Sequence, residues 1–204
     1  MPSPRPEPPA FIIREAREAD LPQLQALENV VFPRGVAYSP GAFRNQLQKF
    51  KAGFLVCVAQ GKVIGYATAE LWRSGTRFDA HQLPGQKHDP KGRTLYISSM
   101  AVYSGNQGRG IGRRLLHALL NVGRKRGCSK AKLVSRKTLT GAHAFYQKHG
   151  FKRVRTLPGY FTPKGQPPVD GFVFSSAIKR QVKHSARTSA ARPARPWRAQ
   201  PRRR

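Results

Sequence analysis

A glycine-rich turn between an apolar segment and an amphipathic segment constrains this chain more than any other feature. Residues 95–102 (LYISSMAV) predict a buried β-strand. Residues 110–126 predict a helix, because Ile111, Leu115 and Leu119 recur at helical spacing. The turn between them contains Gly108, Gly110 and Gly112. A turn of this kind leaves several backbone N–H groups unpaired at the positive end of the helix dipole. It therefore predicts a pyrophosphate-binding site.

The residues around the glycines narrow the choice of phosphate ligand. Arg109, Arg113 and Arg114 add positive charge, and an arginine can hold phosphate oxygens with two donors. A P-loop needs Lys and then Ser or Thr after its last glycine, whereas Arg113 follows Gly112 here. A dinucleotide fingerprint needs a third glycine where this chain has Arg113 or Leu115. Both of these common nucleotide sites are therefore excluded.

The rest of the chain alternates between strand and helix patterns. We predict strands at residues 11–14, 53–60, 63–71, 95–102, 131–135, 151–156 and 172–178, and helices at residues 20–31, 39–50, 110–126 and 138–149. This order predicts a single mixed α/β sheet of about seven strands with four helices. Residues 73–93 predict a long polar loop that is either functional or disordered. A second loop, which includes Tyr160 and Phe161, is expected to join the last two strands.

The chain is strongly basic. Its 204 residues contain 38 Lys and Arg against 9 Asp and Glu, a formal net charge of +29. Residues 179–204 have ten basic residues and no acidic one, so we expect a disordered basic tail. Residues 1–10 are proline-rich and are also expected to be disordered, which leaves one domain at 11–178. Such a charge favours polyanionic partners: nucleic acid, the ribosome surface, phosphorylated cofactors or an acidic protein. The tail could attach the protein to RNA or the ribosome, serve as a targeting address, or have no role.

Several classes of protein are excluded by composition. Hydrophobic residues make up 39% of the chain, which is enough for a packed core. No apolar run reaches roughly 18 residues, so we expect neither a transmembrane helix nor a membrane partner. The first residues lack the apolar stretch of a secretory signal. Cys57 and Cys128 are expected to be free thiols in a reducing compartment, which favours the cytoplasm.

Two motifs resemble signatures of the GNAT superfamily of N-acetyltransferases. Gln107-x-x-Gly110-x-Gly112 after a strand is similar to its acyl-CoA-binding motif. Ala142-x-x-x-Tyr146-x-x-x-Gly150-Phe151 is similar to its second signature, on the fourth helix. The predicted order of elements over residues 11–178 is also the GNAT order. The resemblance implies a mostly antiparallel sheet splayed at its centre, with acetyl-CoA between strands 94–102 and 131–135.

The resemblance also implies roles for individual residues. The turn would give N–H groups to the CoA pyrophosphate, and the strand before it would pair with pantetheine. The implied cofactor-binding residues are Met100, Ala101, Val102, Gln107, Gly108, Arg109, Gly110, Ile111, Gly112 and Arg113. Tyr146 matches the tyrosine that protonates the leaving CoA thiolate. The reaction would be direct attack of an amine on the thioester.

Within the superfamily, the chain is most similar to the ribosomal-protein N-terminal alanine acetyltransferases. The similarity lies in Leu24-x-x-Leu27-Glu28, in the ISSMAV strand, and in Leu157-Pro-Gly-Tyr160-Phe161. It implies that Glu28, Tyr160 and Phe161 contact the substrate. We therefore expect acetyl transfer to a protein N-terminus or lysine, with a ribosomal or other RNA-bound protein as the preferred acceptor. The alternatives are a small-molecule amine acetyltransferase and a CoA-binding module whose basic tail binds RNA.

The sequence departs from that subfamily at two positions. Val134 stands where the subfamily has a glutamate base, and Leu139 stands where it has an asparagine near the cofactor. The base could instead be Glu70, Glu28, a histidine of the long loop (His81 or His88) or water, and an amine that is already neutral would need none. The two histidines lie near aspartates, but no ordered element is predicted to hold them. We therefore expect no metal.

Overall fold

Seven strands and four α-helices follow one another in the predicted order in the described part of the chain. The computed structural model describes residues 10–32, 37–80, 83–162, 165 and 167–179. The strands are β1 (Ile12–Glu15), β2 (Phe54–Ala59), β3 (Lys62–Trp72), β4 (Thr94–Val102), β5 (Lys130–Arg136), β6 (Lys152–Phe161) and β7 (Val169–Ala177). The helices are α1 (Leu21–Val31), α2 (Pro40–Phe50), α3 (Ile111–Lys125) and α4 (Thr140–Lys148). The tails predicted at either end lie outside the described residues, except for Ala10 and Lys179.

The seven strands form one sheet that opens in its middle. The strand order is β1-β2-β3-β4-β5-β7-β6, and β4 and β5 are the parallel neighbours. These two strands pair only from Thr94 to Ile97 on β4. Where the pairing stops, β4 has one residue more than β3, because Ser99 faces Thr68 and Ile97 faces Ala69. An extra residue bends its strand. The splay at the centre of the sheet is therefore confirmed, and a bulge at Ser98 accompanies it.

The helices cover both faces of the sheet. Along β2, Leu55 and Cys57 belong to one buried cluster, while Phe54 and Val56 belong to the other. This alternation places the clusters on opposite faces. The first cluster contains the apolar stripe of α3 (Ile111, Leu115 and Leu119), and the second contains that of α1 (Leu24 and Leu27). Both cysteines are buried and free, as the sequence predicted.

The last hairpin differs from the prediction. Strand β6 continues to Phe161, so Tyr160 and Phe161 lie on a strand and not in a loop. The register between β6 and β7 shifts after Leu157, and Gly159 has a positive φ of 57°. The Gly159 amide donates to Asp170 Oδ1 at 3.0 Å. Pro158 and Gly159 predict the end of a strand, but here they form a bulge and the strand continues beyond them.

The described part of the segment at 73–93 packs against the sheet. The amides of Asp89 and Arg93 donate to the carbonyls of Leu71 and Trp72, at 2.8 and 3.0 Å. The ring of Trp72 stacks on that of Tyr96, with centroids 3.8 Å apart. The C-terminal end of this segment is therefore fixed against the end of β3. His81, one of the candidate bases, lies outside the described residues.

Asp20 precedes α1 and, at the start of a helix, an aspartate is expected to cap it. Asp20 occupies the N-cap position of α1, but its side chain caps no amide of that helix. Its carboxylate instead accepts two hydrogen bonds from Arg14, at 2.7 and 2.8 Å, and one from the Arg17 amide. The Arg14 guanidinium lowers the pKa of this carboxyl.

No helix in the described part of the chain combines the length and apolar character needed to cross a bilayer.

Candidate active site

A cleft of about 840 Å³ lies where β4 separates from β5. Its walls come from the second half of β4, the glycine-rich turn, the start of α3, and α4. The ten predicted cofactor-binding residues all line it: Met100, Ala101, Val102, Gln107, Gly108, Arg109, Gly110, Ile111, Gly112 and Arg113. Tyr146 lines it as well. The structure thus brings together residues that are up to 46 positions apart in the chain.

The turn presents its backbone as a cradle. Gly108 and Gly110 have φ values of 75° and 76°, which other L residues adopt only with strain. Gly110 is the N-cap of α3, and the Arg114 amide donates to its carbonyl at 3.0 Å. The amides just before Arg114 lie in the first turn, where a helix has no carbonyl to pair them with. They are therefore available to an anion in the cleft.

The charge of the cleft suits phosphate. Arg109, Arg113, Lys148 and His149 line it, and none of the described residues that line it is acidic. The first turn of α3 also contains no acidic residue. Arginines, a helix N-terminus and glycine amides are the donor set that phosphates bind in proteins. The residues present therefore fit the pyrophosphate of CoA.

Tyr146 can supply a proton to this cleft. It lies on α4 and is only 9% exposed, with its ring packed against Phe151 and Phe174. Burial raises the pKa of Tyr146 to about 12. The hydroxyl therefore keeps its proton at neutral pH, as a general acid must.

A second polar cluster lies on the face of the sheet that α1 covers, opposite the face covered by α3. Glu28, on α1, is 1% exposed. Its Oε1 accepts from the Tyr38 amide at 2.9 Å, and its Oε2 accepts from the Tyr66 hydroxyl. The Tyr66 hydroxyl also hydrogen-bonds Ser99 Oγ at 2.8 Å. Burial raises the pKa of Glu28, while these hydrogen bonds oppose the rise. Glu28 does not line the cleft; it holds Tyr38 beside β4.

Tyr38 is the residue that the sequence analysis missed. Its hydroxyl donates to the carbonyl of Ser98, the bulged residue of β4, at 3.3 Å. Burial raises the pKa of Tyr38, and the charge of Glu28 adds to the effect. The Ser98 side chain hydrogen-bonds Thr68 across the strands at 2.9 Å. A tyrosine ten residues after a helix glutamate gives no signal by itself, because only the fold places it at the bulge.

Glu70 and His88 hold the segment after β3 in place. Glu70 is fully buried, and its Oε2 accepts from the Lys87 amide at 3.0 Å. His88 Nδ1 accepts from the Leu71 amide at 3.2 Å, and its ring stacks on Phe50 at 4.6 Å. Burial is the main cause that lowers the pKa of His88. Neither residue lines the cleft.

Tyr160 and Val134, the position where a base was expected, both border Gly171. A Cβ placed on Gly171 would lie 2.8 Å from Val134 and 3.1 Å from Tyr160, so this glycine leaves room for both side chains. The Tyr160 hydroxyl donates to the carbonyl of Asp79 at 2.7 Å and also hydrogen-bonds Tyr96. Phe161 packs edge-on against Tyr160 at 5.0 Å.

The family of the chain is established by comparison with known proteins. The model of the acetyltransferase (GNAT) family matches residues 19–151, which is more than half of the chain. The chain therefore belongs to the GNAT family of acetyltransferases, and it is an N-acetyltransferase.

Individual relatives agree with this assignment. An N-alpha-acetyltransferase of Saccharolobus solfataricus is 27% identical over 153 residues, which cover 74% of this chain and 86% of the relative. The crystal structure of Chaetomium thermophilum Naa20 with a bisubstrate analogue is 27% identical, with a TM-score of 0.68, covering 85% of this chain and 90% of that one. The ribosomal-protein-alanine N-acetyltransferase of Brucella melitensis is 25% identical, with a TM-score of 0.63, covering 82% and 99%.

Metal ligands do not gather in the described part of the chain. No group of three or more His, Cys, Asp or Glu side chains there could hold an ion. The described aspartates near the long loop have other partners. Asp79 pairs with Lys87 at 2.5 Å, and Asp89 pairs with Arg73.

Proposed function

We propose that this N-acetyltransferase uses acetyl-CoA to acetylate the α-amino group of a protein N-terminus. The observation that carries the proposal is the half of β4 that β5 leaves unpaired, from Ser98 to Val102. Free strand backbone lies there between a turn suited to phosphate on one side and the Tyr38 cluster on the other. The pantetheine of acetyl-CoA and an extended acceptor peptide can therefore approach each other along this part of β4.

The cofactor side of the proposal uses backbone and arginine donors. The amides from Gly110 to Arg113 would hold the pyrophosphate, with Arg109 and Arg113 beside them. Met100 and Val102 would pair their backbone with pantetheine, as one strand pairs with another. When bound, acetyl-CoA supplies the activated thioester.

Tyr146 would act as the general acid. In the reaction, the amine nitrogen forms a bond to the acetyl carbon and the carbon–sulfur bond breaks. The leaving sulfur then takes a proton from the Tyr146 hydroxyl, which the raised pKa keeps protonated. The nitrogen loses its surplus proton to water, and the Tyr146 oxygen regains a proton from water. An acceptor amine that arrives neutral needs no protein base. Val134, which cannot accept a proton, stands at the position of the subfamily's base and agrees with this simpler scheme.

The acceptor side favours a peptide N-terminus. The relatives named above carry N-alpha-acetyltransferase and ribosomal-protein-alanine N-acetyltransferase as their names. In this chain, Tyr38 lies at the bulge where an extended peptide would reach the acetyl group. A ribosomal protein remains the predicted acceptor, and RNA or ribosome contact through the tail remains a prediction.

A peptide panel tests the acceptor. One peptide has a free N-terminus and no lysine, a second has a blocked N-terminus and one lysine, and spermidine represents small amines. Mass spectrometry then counts acetyl groups after incubation with acetyl-CoA. We expect transfer to the first peptide. Transfer to spermidine alone would make the protein a small-molecule acetyltransferase.

The role of Tyr146 is tested with a matched pair of variants. Tyr146→Phe should lower kcat by about 10²-fold or more, because it removes the general acid. Its affinity for acetyl-CoA, measured by calorimetry, should stay at the wild-type value. Tyr103→Phe removes the same hydroxyl from a partly buried tyrosine that does not line the cleft, and it should leave both quantities unchanged. Acetyl-CoA binding without transfer to any amine would instead indicate a CoA-binding module.

A further inference from the structure

The basic character of this protein is not confined to its tail. The 80 residues from Pro90 to Val169 contain 17 Lys and Arg and no Asp or Glu. Elsewhere in the described part of the chain, most carboxylates are ion-paired or buried. Ion pairs or burial account for Glu18, Asp20, Glu28, Glu70, Asp79, Asp89 and Asp170. The positive charge of the domain surface is therefore largely uncompensated.

Part of this charge gathers at one end of the molecule, where α2 and α3 both end. Arg93 donates to the carbonyl of Arg126 at 2.7 Å, and the Arg126 guanidinium lies 5.5 Å from the ring of Phe50. Lys49 and Arg126 both face His88, whose pKa their charges lower in addition to burial. We call the surface formed by Lys49, Arg93, Arg124, Lys125, Arg126 and Lys179 the basic pole.

The basic pole carries no ion pair among the described residues. None of its members approaches a carboxylate within 4.0 Å. Asp89, the acidic residue that faces His88 from the same loop, is held by Arg73 and by the Lys91 amide. Lys49, Arg93, Lys125 and Arg126 are exposed. The pole therefore presents several unpaired cations to a partner.

The basic tail begins at this same surface. Arg124 Nε donates to the carbonyl of Lys179, the last described residue, at 3.2 Å. The 25 residues that follow contain nine Lys and Arg and no acidic residue. The described domain therefore ends at the basic pole, and the basic segment follows directly from it in sequence.

The chemistry of the pole selects among polyanions. Protein interfaces have an apolar core, but the exposed large apolar side chains of the described residues are not on the pole. They are Ile12, Val30, Val31, Leu83, Leu139 and Val154. A partner that needs only positive charge is a phosphate backbone. We propose that the basic pole binds the phosphate backbone of a nucleic acid strand without reading its sequence.

This site is separate from the acetyl-transfer cleft. The cleft lies at the N-terminus of α3 and the pole at its C-terminus, so the 15 residues of α3 separate them by about 22 Å. Cations are also favoured at a helix C-terminus by the helix dipole. A nucleic acid strand on the pole would therefore leave the cleft open.

The test measures salt-dependent binding of the full chain to labelled 20-nucleotide RNA and DNA strands by fluorescence anisotropy. Lys49→Gln combined with Lys125→Gln removes two exposed cations of the pole. The control is Lys62→Gln, which removes an exposed lysine at the start of β3. Lys62 lies about 33 Å along the strand from Trp72, the residue whose carbonyl accepts from the Arg93 amide of the pole. Each lost phosphate contact should lower the slope of log affinity against log salt by about 0.7. The double variant should therefore lose about 1.4 of slope and bind several-fold more weakly at 0.1 M salt.

The outcomes separate this proposal from the proposed enzyme function, because no acetyl-CoA is needed. An unchanged salt slope and an unchanged affinity in the double variant would overturn the nucleic acid proposal. An equal loss of slope and affinity in Lys62→Gln would overturn it as well. Tighter binding to poly-glutamate than to either nucleic acid strand would show an acidic protein partner instead. A preference above tenfold for RNA over DNA would contradict contact to the backbone alone. In a second titration, saturating acetyl-CoA should leave the affinity for the RNA or DNA strand unchanged. Displacement of the nucleic acid by acetyl-CoA would show that it binds over the cleft and would overturn the proposal.

Discussion

Replacing Gly110 with glutamate tests the proposed acetyl-CoA site with a single side chain. Gly110 caps α3 with a φ of 76°, and a Cβ there would have only Arg113 Nη2, at 4.0 Å, within contact distance. Space is therefore available, and strain comes from the backbone conformation alone. Left-handed backbone costs a non-glycine residue about 1–2 kcal/mol. For a domain of this size, that cost lowers Tm by about 2–8 °C.

The charge of the new side chain acts on binding. A carboxylate about 4 Å from one phosphate charge costs ~4 kcal/mol at an effective dielectric constant of about 20. That cost corresponds to roughly a thousandfold weaker affinity. Calorimetry with acetyl-CoA measures the affinity, and thermal unfolding measures the strain. Gly110→Glu should lose both affinity and a few degrees of Tm.

A matched control separates strain from charge. Gly61, in the turn between β2 and β3, has a φ of 72°, and a Cβ added to it would meet no atom within 4 Å. Gly61→Glu therefore adds the same strain and the same charge away from the cleft. It should lose the same few degrees of Tm and bind acetyl-CoA as the wild type does. Equal affinities for the two variants would refute the assignment of the turn to the pyrophosphate.

Two further predictions concern the supports of the site. Burial raises the folded-state pKa of Glu28 above its ordinary value of 4.5. The free energy of unfolding of the wild type should therefore fall as the pH rises from about 4.5 through the raised pKa, because the folded state then holds a buried charge. Glu28→Gln should remove this fall in urea unfolding at pH 5 and 7, whereas Glu15→Gln, on exposed β1, should keep it. A Cβ on Gly92 would lie 2.7 Å from backbone atoms of Leu71 and Trp72. Gly92→Ala should therefore cost ~3 kcal/mol, and Gly105→Ala, which has open space, should stay within about 0.5 kcal/mol; equal costs would contradict the close approach.

The order of elements and the cofactor side of the site could be predicted because both are local in sequence. The stripe of Ile111, Leu115 and Leu119 predicts α3, and the glycines just before it mark its start. Their chemistry depends on backbone conformation within one turn, which a short segment specifies. The resemblance to the GNAT family added the pairing of this turn with Tyr146, and the structure places both on one cleft.

The acceptor side could not be predicted, because its residues meet only through the sheet. Glu28 is predicted to contact substrate, and that prediction stands; what only the structure shows is that Glu28 is buried and accepts hydrogen bonds from Tyr38 and Tyr66. Tyr160 was expected in a loop, yet a bulge keeps it on β6 and brings it to Asp79, 81 residues away. Local patterns carry no information about such distant contacts.

The sequence by itself therefore determined the helices, the strands and the glycine-rich turn, since each follows from the spacing of residues within one segment. The tertiary structure alone decided where β4 separates from β5, because one extra residue at Ser98 matters only against the strand beside it. It also decided which charges gather at the basic pole. Lys49, Arg93 and Arg126 are neighbours because α2, α3 and the start of β4 lie on the same side of the molecule.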